Sequence, residues 1–265
     1  MTIGFIGLGD QGGPIAHRLI KAGHPVVVWA RRAEVLAPYT QAGATAASSV
    51  ADLGARCDLV GICVVDDAGV NQVCGELIPA MRPGSCIAIH STILPNTCKA
   101  LAAQAATRGL SFIDAPVSGG GGAAAAGKLT VMIGGDADTV AAARPIFEAF
   151  AGHIIHLGGV GTGQMAKLIN NTLLTANMGL AHQALAVGQA LGIDRAALAN
   201  LVNASSGRSF GFEVYARLPE PSVFAHGGML LAKDVRLLGE VMGAAPPYAV
   251  LRDVATQFLD LVMKK

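Results

Sequence analysis

The sequence predicts an α/β protein: a doubly wound, mostly parallel sheet with covering helices over residues 1–162, then an all-helical domain over residues 163–265. Short β-branched runs alternate with amphipathic helical stretches through the first part, and parallel strands require such long crossovers. A GxGxxG turn built from Gly7, Gly9 and Gly12 falls directly between the first strand and the first helix. Past Gly163 the strand signals stop, and only helical periodicity continues.

Taken in order, Ile3–Ile6 is the first strand, residues 12–22 the first helix and Val26–Trp29 the second strand. Further strands are expected at 59–64, Cys86–Ile89, 111–113, Leu129–Ile133 and 154–157, with helices such as 96–108 between them. These runs are nearly continuous in apolar residues, as strands covered by helices on both faces should be. GGVGTG at 158–163 marks a domain junction, since the next helix begins at once. Helices are then expected at 163–191, 194–204, 228–243 and 247–263, with LPEPS at 218–222 as a loop.

With 265 residues, 52% of them apolar, the chain can bury two cores. A formal charge of +1 and the lack of any Lys/Arg block argue against nucleic acid or an anionic membrane as partner and favour a small molecule. No apolar run reaches the roughly 18–20 residues of a membrane span. The longest uncharged run, 168–193, is interrupted by amides, Thr172, Thr175 and His182, so it reads as a helix buried among protein. One small helical domain is too little to cover it, and a homodimer or homotetramer is expected.

The N-terminus reads as a strand rather than a targeting signal. Five cysteines (57, 63, 74, 86 and 98) without CxxC spacing suit a reducing, cytoplasmic setting better than a disulfide framework or a zinc site. His153 and His156, three apart on a strand, point to opposite faces, so no metal site is expected. No GxSxG elbow occurs.

In the glycine turn, Gly7 permits the tight bend, Gly9 lets the backbone meet a pyrophosphate and Gly12 packs the helix against the strand. Leu8, Asp10 and Gln11 complete the loop. At the end of the second strand, where an acid would hold the ribose of NAD, stand Ala30, Arg31 and Arg32. Two guanidinium groups suit a 2′-phosphate, so NADP is expected ahead of NAD, while the loop alone leaves FAD open.

A second glycine run, DAPVSGGGGAAAAGKLTVMIGG at 114–135, places Ser118 ahead of successive backbone N–H groups that can converge on a substrate carboxylate. On the long helix, Lys167 and Asn171 are four apart and share a face. Lys167 on an exposed rim is the bland reading. The functional one is that Lys167 exchanges a proton with a substrate oxygen that Asn171 holds. Lysine titrates near about 10.4 in water, so alcohol oxidation would require that value to fall, through the helix dipole and chiefly through desolvation.

These stretches carry a resemblance to the β-hydroxyacid dehydrogenases, the family of 3-hydroxyisobutyrate dehydrogenase and of the tartronate semialdehyde and glyoxylate/succinic semialdehyde reductases. It spans nearly the whole chain: GFIGLGDQGG with AGHPVVVWARR, HSTI at 90–93, the second glycine run, GTGQMAKLINN and AKDVRLL at 232–238, in the family's order. The resemblance implies that Lys167 is the catalytic acid/base, that Asn171 and Ser118-Gly119-Gly120 hold the substrate, and that Val64, Thr92 and Lys233 lie near the nicotinamide. Ala30-Arg31-Arg32 is similar to the Asn-Arg-Thr of the NADP-preferring branch, with Asn replaced. Related imine reductases generally lack the lysine, so Lys167 favours an alcohol/aldehyde couple. The rival readings are an imine reductase-like enzyme and a dinucleotide-binding protein without activity, since fold alone does not prove catalysis.

Overall fold

The computed structural model describes residues 1–243 and 245–263, which form two compact units, Met1–Lys167 and Leu168–Lys265. The strands are β1 (Ile3–Ile6), β2 (Val26–Trp29), β3 (Thr45–Ala46), β4 (Leu59–Ile62), β5 (Cys86–Ile89), β6 (Ser111–Asp114), β7 (Val117–Ser118), β8 (Leu129–Ile133) and β9 (Ala151–His156). Interleaved with them are helices α1 (Gly12–Lys21), α2 (Ala37–Gln41), α3 (Val50–Arg56), α4 (Asp67–Ala80), α5 (Pro95–Ala106), α6 (Gly120–Ala126) and α7 (Ala137–Phe147). Then come α8 (Thr162–Ala190), α9 (Arg195–Asn203), α10 (Phe210–Ala216), α11 (Ala225–Met242) and α12 (Pro246–Met263). Side-chain caps fix several helix starts: Ser49, Asp66, Asp136, Asp194 and Ser209 each accept a first-turn backbone N–H.

Six strands pair in parallel in the order β3-β2-β1-β4-β5-β6. The order reverses between β1 and β4, and in open α/β sheets ligands bind beyond the carboxyl ends of the strands at that reversal. Strand alternation sorts the side chains into two cores, one on each face. Ile3, Phe5, Val26 and Val28 join one, and Ile6, Val27, Val60 and Ile62 join the other. The two strands expected near the end of this unit, β8 and β9, pair apart from the main sheet and are joined there by the unexpected β7. The order is β7-β8-β9, with β7 antiparallel to β8 and β9 parallel to it. Pro116 has no N–H to extend a ladder, and its carbonyl instead accepts the N–H of Met132 as the chain folds back.

Among the described residues every element of the second unit is a helix, and the unit packs around Met178, Leu185, Phe212, Tyr215 and Phe258. No helix among the described residues is long and apolar enough to cross a membrane.

His90, just past β5, is enclosed by Phe5, Phe147 and Phe150, with ring centroids 5.9, 5.5 and 5.7 Å away. Its Nδ1 donates to the Ala115 carbonyl at 2.8 Å. Burial pushes the imidazole down to about 4, outweighing the opposing effect of that hydrogen bond. The folded state therefore favours the neutral ring, and its contribution is complete above the unfolded value of about 6.5 and is lost as pH falls towards 4. At about 1.36 kcal/mol per pKa unit this amounts to about 3 kcal/mol. Urea unfolding at neutral and acid pH should show that loss, and His90→Gln should show a smaller one; an equal acid loss in both proteins would place its source elsewhere.

Candidate active site

The turn after β1 is dictated by contact distances. Gly7 has φ +98°, and a Cβ there would lie 2.1 Å from the Cys63 carbonyl oxygen; a Cβ on Gly12 would lie 1.9 Å from the oxygen of Gly7. Gly9 differs, since a Cβ there would meet nothing within 4 Å. The first glycine and the last are required by the protein's own packing, while the middle one faces open space.

That space is a cleft of about 960 Å³ at the carboxyl ends of β1, β2 and β4, at the upper end of the ~300–1,000 Å³ usual for ligand clefts. Gly7, Leu8, Gly9, Ala30, Arg31, Arg32 and Val64 line it, as the sequence led one to expect. Asp10 and Gln11 lie in the loop beside it, and Gly12 begins α1. The helix start has no side-chain cap. The Gly13 N–H donates to the Gly9 carbonyl at 2.8 Å and Pro14 carries no N–H, so an anion there would meet the Gly12 N–H and the positive end of the helix dipole. Gln11 Nε2 is buried and has no hydrogen-bond partner among the described residues. Arg32 is 77% exposed and its Nε is 4.0 Å from Glu34, a surface pair too weak to hold it from a phosphate. Open space over Gly9, a helix start without a side-chain cap and two arginines at the cleft fit a nicotinamide dinucleotide.

The cleft also takes in Val65, Asp66, Gly69, Gln72 and Glu76 from β4 onwards, residues that sequence reasoning missed. The signal lay in topology, because β4 becomes β1's neighbour only once the strand order is known.

A second set of contacts anchors the start of α8. Asp114, fully buried at the end of β6, accepts the Gly161 N–H at 2.6 Å through Oδ1 and the Gln164 N–H at 2.8 Å through Oδ2. Burial raises its carboxyl above the ordinary aspartate value, opposed by the backbone N–H groups that favour the anion. The Gln164 side chain, also fully buried, donates Nε2–H to the Ser91 carbonyl at 2.8 Å and accepts the Ile93 N–H at 3.1 Å. Ser91 Oγ in turn accepts the Val64 N–H at 2.8 Å. Thr92 is half-buried between Ser91 and Ile93 and does not itself line the cleft. One turn past Gln164 stands Lys167, only 9% exposed; the exposed-rim reading of this lysine is therefore set aside.

Ser118 ends β7 opposite Thr130. Gly119 and Gly120 follow at φ +130° and +73°, left-handed conformations that suit glycine. The run has a packing duty besides, because a Cβ on Gly121 would sit 2.6 Å from the Asp10 carbonyl oxygen. This places the second glycine run directly against the first.

In the second unit, Asn171 is buried and donates Nδ2–H to Asp234 Oδ2 at 2.6 Å, while its Oδ1 accepts from Asn170 at 3.2 Å. Asp234, buried on α11, has Lys233 Nζ 3.6 Å from its Oδ1. Asp114, Gln164 and Asp234 had no role in the sequence reading; the only hint was a polar residue inside a quoted motif. Burial pushes the thiols of Cys57, Cys74 and Cys86 up to about 12, and that of Cys98 up as well, so none of these four is a nucleophile near neutrality.

Two family models cover the chain: the NAD binding domain of 6-phosphogluconate dehydrogenase over residues 2–159, and the NAD-binding domain of NADP-dependent 3-hydroxyisobutyrate dehydrogenase over residues 161–264. The chain is 36% identical to the NAD-dependent L-serine dehydrogenase of Pseudomonas aeruginosa, covering 99% of this chain and 92% of that one. It is 33% identical to the mitochondrial 3-hydroxyisobutyrate dehydrogenase of Mus musculus, over 99% and 82%. Among solved structures, Mycobacterium tuberculosis 3-hydroxyisobutyrate dehydrogenase with L-serine superposes with a TM-score of 0.85 at 29% identity, over 97% and 93%.

The three glycines separate packing from binding. Gly9→Ala should leave unfolding stability within about 0.5 kcal/mol yet weaken NADPH binding about tenfold. Gly7→Ala should cost stability by at least ~2 kcal/mol, from strain and collision together. Denaturant titration with fluorescence-monitored NADPH binding checks both, and equal stability losses at the two positions would contradict the assignment.

Proposed function

The chain belongs to the β-hydroxyacid dehydrogenase family, and on that premise we propose that it transfers a hydride between NADP(H) and a small 3-hydroxy acid or the corresponding semialdehyde, with Lys167 as general acid/base. The coarser statement, an NAD(P)-dependent dehydrogenase acting on a CH–OH group, follows from the relatives it matches over most of their length. The observation that carries the finer reading is the burial of Lys167. Lysine is rarely buried, and this one is the only Asp, Glu, Lys or Arg on α8, one turn before Asn171 on the same face.

The nicotinamide, when bound, supplies the hydride chemistry. Lys167 gives a proton to the carbonyl oxygen in reduction and takes it from the hydroxyl in oxidation. Asn171, one turn further along the same helix, holds that oxygen, and its amide is oriented by Asp234. Ser118-Gly119-Gly120 receives the carboxylate. Val64, Thr92 and Lys233 are assigned to the nicotinamide end. L-serine and 3-hydroxyisobutyrate, named for the relatives, both place a primary hydroxyl on the carbon β to a carboxylate, and that pairing defines the substrate class.

Arg31 and Arg32 at the cleft support NADP over NAD, as does the NADP-dependent description of the matching helical-domain family. One close relative is named as NAD-dependent, so both nucleotides belong in the assay. Assembly into a homodimer or homotetramer is part of the same proposal. Ile169, Leu173, Leu180 and Val187 are about half exposed along α8, and at about 100° per residue they form a single narrow stripe.

NADPH or NADH oxidation should appear with tartronate semialdehyde or methylmalonate semialdehyde, whose reduction gives 3-hydroxy acids, and be slower with glyoxylate and succinic semialdehyde, which give 2- and 4-hydroxy acids. Inactivity with the first two, and with L-serine and 3-hydroxyisobutyrate in the oxidative direction, would overturn the reading. Lys167→Ala should lower kcat about 10²- to 10⁴-fold while retaining NADPH affinity, and a pH–rate profile of unchanged shape would remove the lysine from the chemistry. Light scattering should give an oligomeric mass that Leu180→Glu reduces; a monomeric parent protein would refute the assembly.

A further inference from the structure

We infer that Gln164 is a positioning residue whose side-chain amide holds the loop carrying Thr92 against the helix turn carrying Lys167, and so sets the spacing between the nicotinamide end of the cleft and the proton-transferring amine. This rests on the roles proposed above for Lys167 and Thr92.

Two side-chain bonds of Gln164 fall on either side of one residue, and the amide also meets the Cys98 thiol. Nε2 donates to the Ser91 carbonyl and Oε1 accepts from the Ile93 N–H, so the peptide groups flanking Thr92 are both held by a single amide. The same residue is immobilised from behind, because its own N–H is bound by Asp114 Oδ2. Lys167 lies three residues on, within one helical turn, so a rotation of the helix start that released Gln164 would carry the lysine with it. On the other side, Ser91 Oγ accepts the Val64 N–H and extends the tie to a residue that lines the cleft.

Towards the Thr92 loop the position demands one donor and one acceptor at full burial. The titratable groups beside it are the Asp114 carboxyl on its own N–H and the Cys98 thiol, which burial keeps protonated through neutral pH. A carboxylate offers only acceptors and would set an oxygen against the Ser91 carbonyl, while an apolar side chain offers neither. A protonated carboxylic acid offers both, since its carbonyl oxygen accepts from Ile93 and its O–H donates to Ser91. Burial raises a carboxyl's pKa, so Gln164→Glu converts the question into one of pH.

Once a substrate is identified, kcat and the NADPH dissociation constant are measured for the parent enzyme, Gln164→Met and Gln164→Glu across the acid to alkaline range. Misplacement of reacting groups by a fraction of an ångström to an ångström costs about 10- to 100-fold. Gln164→Met is expected to lose about that in kcat at every pH, with NADPH affinity changed less than about twofold. Gln164→Glu should show a similar loss at alkaline pH, and its kcat relative to the parent enzyme should recover as pH falls and the carboxyl protonates. A merely structural amide would lower the amount and stability of folded enzyme without producing this pH-dependent ratio. Should Gln164→Met fail to fold, the Gln164→Glu ratio decides alone. A ratio near one and flat with pH, or losses that vanish per folded active site, would overturn the inference while leaving Lys167 catalysis intact. A parent enzyme inactive on every candidate substrate would remove both.

Discussion

A buried carboxylate at the head of the longest helix organises the first unit. The opening turn of any α-helix presents N–H groups with no partner in the helix, together with the positive end of its dipole. In α8 these groups point into protein, and Asp114 answers them from the end of β6. The fit leaves no spare volume: a Cβ on Gly134 would lie 2.5 Å from one carboxylate oxygen, and one on Gly163 would lie 2.8 Å from the other. Removing the acid would strand several buried donors, an expense much larger than the net worth of an ordinary hydrogen bond. Everything that α8 presents in its next turn, Lys167 included, inherits its register from this contact.

What could be read from the chain divides by the range of the physics involved. The first two strands and β5 match their expected limits because aliphatic alternation and glycine punctuation are local signals. The long helix falls within a residue of expectation at each end for the same reason. β9 begins three residues earlier than expected, at Ala151, since AGH carries no strand pattern and is drawn into the ladder by β8. The two-residue strands β3 and β7 are too short to display any period, and α10, announced only by its Ser209 cap, was passed over. The dinucleotide loop was legible as a contiguous motif. Asp114, Gln164 and Asp234 were not, because their meaning lies in partners 50, 73 and 63 residues away.

The interior is kept electrically quiet. His90 stays neutral among aromatic rings, and four thiols stay protonated in their apolar surroundings. Against such a background a single ammonium group or carboxylate exerts its field with little competition, since the local dielectric is low and few other ions dilute it. That makes the placement of each buried polar group consequential, and it explains why amides and main-chain donors, rather than further ions, do most of the holding.

Gly121 touches the carbonyl of Asp10 so closely that not even a methyl group fits between them. The two glycine stretches are therefore not independent modules. A mutation enlarging the later one is felt in the earlier one as a shove on the nucleotide turn, so during evolutionary drift the pair must be inherited together. A chimera that grafts either segment from a distant homologue without its counterpart should inherit a mismatch at this single point.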